Sequence, residues 1–175
     1  VSINDVGDTV LITAKNEESN RGAFYTYAIK QRASGTIDWE YTDRTSGSSS
    51  GDLVYSVKIS GNGLHCVVGE IGVNSGAGRI QFYTQYLGYD STRQITEINW
   101  KLVQTITPTG ISTGDSLGTY IAIDEIGSTL ALSAPNQNSN SGAVYVYTRS
   151  NGSVWTQETK LTSLDSGGLF GHDIQ

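Results

Sequence analysis

The 175-residue chain is 37% hydrophobic and 16% charged, with 21 glycines, two prolines, one cysteine and no methionine. That is one domain's worth of chain, and no run nears the roughly 18 apolar residues of a membrane helix, so membrane insertion is excluded. Eleven lysines and arginines against 17 aspartates and glutamates give a net charge of −6, which repels phosphate backbones and excludes nucleic acid as a partner, while the lone Cys66 can form neither an internal disulfide nor a cysteine zinc site.

From the N-terminus, Val1-Ser2-Ile3 and Val10-Leu11-Ile12-Thr13-Ala14 read as short strands joined by Asn4-Asp5-Val6-Gly7-Asp8. The period-two alternation predicts strand rather than helix. An Asn-containing loop ends at Gly22, where Gly22-Ala23-Phe24-Tyr25-Thr26-Tyr27 begins an alternating aromatic strand, and Trp39 lies in the strand after it. The same order then recurs. Gly51-Asp52-Leu53-Val54-Tyr55-Ser56-Val57 opens a second round, which runs through Ser60-Gly61-Asn62-Gly63, His65-Cys66, Val68-Gly69-Glu70 and the anchor Gly76-Ala77-Gly78-Arg79-Ile80-Gln81-Phe82-Tyr83 to Trp100. Residues 86–97 read as a long connection inside it, several residues longer than Ser150-Asn151-Gly152-Ser153 in the next round. A third round starts at Gly114-Asp115-Ser116-Leu117-Gly118-Thr119-Tyr120-Ile121 and passes Thr129-Leu130-Ala131-Leu132-Ser133-Ala134 and Gly142-Ala143-Val144-Tyr145-Val146-Tyr147 to Trp155. Gly168-Leu169-Phe170-Gly171-His172-Asp173-Ile174 opens a fourth.

Trp39, Trp100 and Trp155 are every tryptophan in the chain, one per round, 61 and 55 residues apart. Val1-Ser2-Ile3 matches Val57-Lys58-Ile59 and Ile121-Ala122-Ile123. No segment carries an apolar stripe long enough for a helix. Four strands per repeated unit, none able to bury both faces alone, predict an all-β fold of β-propeller blades, each of four antiparallel strands, with about three blades present. The partial propeller over 1–175 divides into a blade without its opening at 1–50, blades at 51–113 and 114–166, and the start of another at 167–175. With both ends inside patterned segments and no methionine, the chain reads as a portion of a longer polypeptide, missing blades lying elsewhere on it or being supplied by other chains.

These repeats resemble the FG-GAP repeats of integrin-alpha-like β-propellers. Phe170-Gly171 and the weaker Leu117-Gly118 stand for the "FG", Ser133-Ala134-Pro135 for the "GAP", and Val68-Gly69-Glu70 and Thr13-Ala14-Lys15 for degenerate copies of it. The stretch from Gly114 to Gly171 is especially similar to the calcium-free branch of that family. The resemblance implies an extracellular or cell-surface protein, a virion surface included, that acts by adhesion or protein–protein recognition.

Integrin-type blades hold calcium between their first two strands. Here Asn4-Asp5-Val6-Gly7-Asp8, Ser60-Gly61-Asn62-Gly63 and Asp124-Glu125-Ile126-Gly127-Ser128 are too short to wrap about six to eight oxygens around an ion. No metal and no cofactor are expected. Asn136-Gln137-Asn138-Ser139-Asn140-Ser141-Gly142 alternates like a calcium loop but lacks carboxylates, and reads as a turn. Gly114-Asp115-Ser116-Leu117-Gly118 matches the G-x-S-x-G elbow without the helix that the motif needs after it. His65 and Cys66, adjacent in a strand, point to opposite faces. No catalytic constellation emerges, and the chain is expected not to be an enzyme. The aromatic strands invite sugar stacking, but in alternating strands both parities face neighbouring blades, which reads as core.

The expected partner is a protein or glycan on the loop face, or copies of the chain itself. That face should combine the loops ending at Gly22, Gly76 and Gly142 with the interblade loops at 46–51, 107–115 and 163–168. Asn20, Asn74 and Asn140 stand two before those glycines and, with Tyr89 and Arg93 of the long connection, are the candidate binding residues. Two other readings stay open: a building block of an extracellular filament or virion shell, and a non-catalytic part of a larger secreted enzyme. Asn151-Gly152-Ser153 is a permissive glycosylation sequon.

Overall fold

The computed structural model describes every residue except 33, 93, 94, 151–153, 165 and 166, and gives no side chain for 90 and 95. Among the described residues twelve strands form three four-stranded antiparallel sheets. Blade 1 contains β1 (Ser2–Ile3), β2 (Thr9–Ala14), β3 (Ala23–Gln31) and β4 (Ile37–Ser46). Blade 2 contains β5 (Val54–Ile59), β6 (His65–Glu70), β7 (Arg79–Asp90) and β8 (Ile95–Ile106), and blade 3 contains β9 (Ile121–Ile123), β10 (Thr129–Ala134), β11 (Ala143–Thr148) and β12 (Thr156–Thr162). In each, strands pair antiparallel with their sequence neighbours.

The pairing registers fix which residues correspond. Leu11 pairs with Thr26, Val67 with Phe82 and Ala131 with Val146, and a β-bulge follows at Thr26/Tyr27, Phe82/Tyr83 and Val146/Tyr147. A bulge sharpens local twist, and its recurrence at one place gives the three blades the same shape. Beyond the bulge, Trp39 pairs with Ile29 and Trp100 with Gln85, and Trp155 stands just before β12 at the corresponding position.

Alternation along these strands builds two interblade cores. Cys66, Val68, Tyr83 and Trp100 of blade 2 pack with Leu11 and Phe24 of blade 1. Leu130, Leu132, Tyr147 and Trp155 of blade 3 pack with Val67, Ile80 and Phe82 of blade 2. Trp100 and Trp155 thus reach back to the preceding blade. Trp100 Nε1 donates to Thr26 Oγ1 at 2.8 Å, and Trp155 meets the Phe82 ring edge-on at 5.3 Å, Thr26 and Phe82 being corresponding residues. Cys66 lies fully buried in the first core, which pushes its thiol pKa up, while neighbouring His65 lies against Phe82 on the other face, as alternation requires.

Two expectations change. Residues 86–97 are mostly strand: Tyr86, Leu87 and Tyr89 pair with Asn99, Ile98 and Thr96, extending the β7–β8 hairpin outward and leaving only 91–94 between strands. Aromatic and β-branched residues on both arms sustain the ladder in place of the expected loop. Secondly, the aromatic strand of blade 1 is core on one face only. Phe24 and Thr26 are buried against blade 2, whereas Tyr25 and Tyr27 are half-buried and Trp39 is exposed, because no blade covers that side in this chain.

Candidate recognition surface

Before each aromatic strand the chain makes one tight turn: α1 (Glu17–Asn20), α2 (Val73–Gly76) and α3 (Gln137–Asn140). These are not right-handed helices. Glu18, Ser19 and Asn20 have φ of 49, 58 and 63°, Asn74, Ser75 and Gly76 of 50, 57 and 86°, and Asn138, Ser139 and Asn140 of 53, 56 and 66°. After one right-handed residue comes a left-handed glycine, Gly22, Gly78 or Gly142. Left-handed backbone costs an ordinary L-residue roughly 1–2 kcal/mol, least for Gly, Asn and Asp, which explains the Asn, Ser and Gly content.

This geometry corrects the sequence alignment. The glycine equivalent to Gly22 and Gly142 is Gly78, not Gly76: Gly22, Gly78 and Gly142 receive no side chain because a Cβ would sit 2.6, 2.2 and 2.3 Å from backbone atoms of the next blade. Asn20 and Asn140 therefore correspond to Gly76, and Asn74 corresponds to Glu18 and Asn138. Glycine occurs twice here, at Gly76 inside the turn and at Gly78 after it, and only Gly76 is followed by alanine as Gly22 and Gly142 are, which shifts the sequence match by two residues.

The strained turns are clasped by the next blade's opening. The N–H groups of Leu53, Ser116 and Leu169 donate to the carbonyls of Asn20, Gly76 and Asn140 at 3.1, 2.9 and 3.0 Å. Those of Val54, Leu117 and Phe170 donate to Arg21, Ala77 and Ser141 at 3.2, 3.0 and 2.9 Å. In the interblade loops, Asp52 and Asp115, both buried, accept the N–H groups of Ser49 and Ser112 at 2.7 and 2.8 Å. The two loop sets thus meet on one face.

Beneath each turn lies a polar support. Tyr25 Oη donates to Glu17 at 2.8 Å, and Arg44 Nη2 donates to Glu17 and Glu18 at 2.6 and 2.7 Å. The tyrosine and guanidinium bonds hold the Glu17 carboxyl below its usual range. In blade 3 the same position is Gln137, which accepts from Tyr145 at 2.9 Å and donates to Asp115 at 3.0 Å. Blade 2 puts Val73 there and moves its polar group to the strand end, where buried Glu70 accepts from Arg79 and Gln81. Burial raises the Glu70 pKa, with Arg79 opposing. Glu17 and Gln137 escaped notice in the sequence, although a tyrosine eight residues on marks both.

Of the candidate binding residues, Asn20, Asn74 and Asn140 are exposed on this face, and their carboxamides have no hydrogen-bond partner among the described residues. Tyr89 is exposed near the tip of the β7–β8 hairpin, a separate element from the clasped turns. Arg93 lies outside the described residues, as does the sequon at 151–153.

The first-to-second strand turns spend their oxygens internally. Asn4 Oδ1 accepts the N–H groups of Asp8 and Thr9, Ser60 Oγ accepts that of His65, and Asp124 Oδ1 accepts those of Ser128 and Thr129. No group of three or more His, Cys, Asp or Glu residues suited to a metal occurs among the described residues. Ser116 has φ of 57°, a left-handed conformation reminiscent of a nucleophile elbow, yet Leu53 and Leu169 share it at 53 and 48°. The strain belongs to the clasp. Ser116 Oγ is bonded to Asn136 Nδ2 at 2.9 Å, and His172 Nε2 to the Tyr120 hydroxyl at 3.0 Å.

Twisted four-stranded blades packed face to face, each locked to the next through its opening segment, define a protein of β-propeller blades. The family model of the FG-GAP repeat matches residues 100–147, from Trp100 to Tyr147. The chain carries an FG-GAP repeat, phased from the last strand of one blade through three strands of the next. No curated protein matches the chain.

Proposed function

We propose that the chain is a non-catalytic recognition module of an extracellular or cell-surface protein, presenting its clasped loop face to a protein or glycan and needing no cofactor. The carrying observation is the division of labour on that face. Backbone groups of the turns are paired across blades, while exposed carboxamides at Asn20, Asn74 and Asn140 are left over. Preorganised loops bind without large ordering costs. FG-GAP propellers are often recognition modules, and the resemblance to the calcium-free, integrin-alpha-like branch supports a surface location. Among the described residues no helix is long and apolar enough to cross a membrane.

The test is binding of the labelled chain to an array of secreted-protein ectodomains and to a glycan array, compared with an Asn20→Gly/Asn140→Gly variant and with Tyr89→Ala. Glycine already occupies the corresponding place at Gly76, so the double variant keeps its backbone. At least tenfold weaker binding with an unchanged melting temperature supports the reading. Binding to neither array, or hydrolase activity abolished by Ser116→Ala, overturns it.

A second reading, assembly with copies of itself, is favoured by the uncovered face of blade 1, where Val10, Ile12, Tyr27 and Trp39 line an open apolar depression.

A further inference from the structure

The repeat breaks at two places that meet in one cleft. The clasp position carries Leu53, Ser116 and Leu169, so blade 3 alone replaces leucine by a hydroxyl. Two residues after the Leu117 and Phe170 that bridge to the preceding glycine stand Thr119 and His172, and the backbone turn is the same, with the Thr119 and His172 N–H groups donating to Ser116 and Leu169 at 3.3 and 2.9 Å. Blade 2 is one residue shorter between the clasp and Val57, with a register shift between Val54 and Ser56, so Thr119 has no single counterpart there. Thr119 is thus a small residue where the next opening carries the His172 ring, and Tyr55 stands across from it. A cleft of about 320 Å³ opens there, lined by all three together with Ser116 and Asn136.

Nothing in the clasp requires these departures, since leucine serves at the other clasp positions and a ring in the next opening. Departures from a repeat that cost packing and return none are where binding sites are sought. The cleft lies at the lower end of the small-molecule range. No Asp, Glu, Lys or Arg among the described residues lines it, which argues for a neutral ligand. Aromatic and aliphatic surface comes from Tyr120 and His172, whose rings lie 4.9 Å apart, and from Ile71 and Pro135. Polar groups come from Asn136, whose Nδ2 donates to Ser116 Oγ, leaving its Oδ1 and second N–H to face a ligand. An extended peptide would need free backbone groups along a strand edge, but here the backbone is consumed by the clasp.

We propose that this cleft between blades 2 and 3 binds a neutral pyranose, the apolar face of the ring against the aromatic side chains and its hydroxyls on Asn136 and Ser116. This deepens the recognition reading and rests on it.

The test is saturation-transfer NMR on the full 175-residue chain with the methyl glycosides of glucose, galactose, mannose and N-acetylglucosamine, and methyl glucuronide as the charged control. Transfer to at least one neutral glycoside is expected, exceeding that to the glucuronide. Thr119→His, which installs the residue of the next opening, should fill the cleft and abolish transfer with the melting temperature kept. Asn136→Ala should weaken binding at least tenfold, and carries the test if the first variant fails to fold. Absence of transfer to all four neutral glycosides, or transfer undiminished in both variants, overturns the proposal. Ectodomain binding that persists in those variants and is lost in Asn20→Gly/Asn140→Gly would show that only this inference, and not the recognition reading, had failed.

Discussion

Trp100 and Trp155 occupy corresponding positions, are 7% and 4% exposed, and differ at one atom. Trp100 Nε1 has Thr26 Oγ1 as its acceptor, whereas the residue facing Trp155 is Phe82 and its Nε1 is buried without a partner among the described residues. A buried donor left unmatched costs about 1–3 kcal/mol, and a net hydrogen bond returns about 1 kcal/mol. Truncating either indole to phenylalanine loses similar packing, so the hydrogen-bond difference decides the order. Trp100→Phe should therefore destabilise by about 1 kcal/mol or more beyond Trp155→Phe, measured as the difference in urea midpoints at unchanged slope. Equal midpoints would mean that the Thr26 bond contributes nothing net.

At the scale of elements, the β6–β7 and β9–β10 segments meet around His65. Burial first, then the Arg149 guanidinium, pushes its pKa down to about 4, with Asp124 opposing. Arg149 is itself held over the Phe82 and Trp155 rings and bonded to the Gly127 carbonyl. A depressed histidine stays neutral in the fold while the unfolded chain takes up its proton near pH 6.5. Its contribution is complete above about pH 6.5 and is lost as pH falls toward 4. His65→Gln should thus reduce the loss of melting temperature between pH 7 and pH 5, with the Glu70 and Asp124 carboxyls titrating alike in both proteins. An identical loss in both would place the acid sensitivity elsewhere. Elements such as β10 were legible because Leu130, Leu132 and Ala134 recur at every second residue, and the blade count because Trp recurs. The long β7–β8 hairpin was not, since Gly88, Asp90 and Ser91 read locally as loop while the cross-strand pairs that hold it, Tyr86 with Asn99 and Tyr89 with Thr96, are non-local. Nor were the left-handed turns. A chain of Asn, Ser and Gly announces a turn, but only the carbonyls' reception of the next blade's N–H groups selects its hand and shows that Gly78 is the equivalent glycine. The face of the candidate site could be read; the partner of each atom on it could not.

For the molecule as a whole, the asymmetry between its three tryptophans is the telling quantity. Trp100 and Trp155 are covered by a preceding blade, while Trp39 is 46% exposed beside Ile12, Val10 and Tyr27. The same pattern that buries Cys66 and Val68, or Leu130 and Leu132, leaves Val10 and Ile12 on an open sheet face. Such a face is apolar because it is shaped for a blade, and an apolar sheet face left uncovered promotes association. Expressed as these 175 residues alone, the chain should self-associate in sedimentation velocity, and Trp39→Lys should return it to 18.7 kDa monomers with its melting temperature retained. Trp100→Lys, which buries a charge between blades, should instead prevent folding. If the unaltered chain sediments as a monomer at concentrations of tens of micromolar, the open face does not drive association of copies, and the assembly reading loses the observation that favours it.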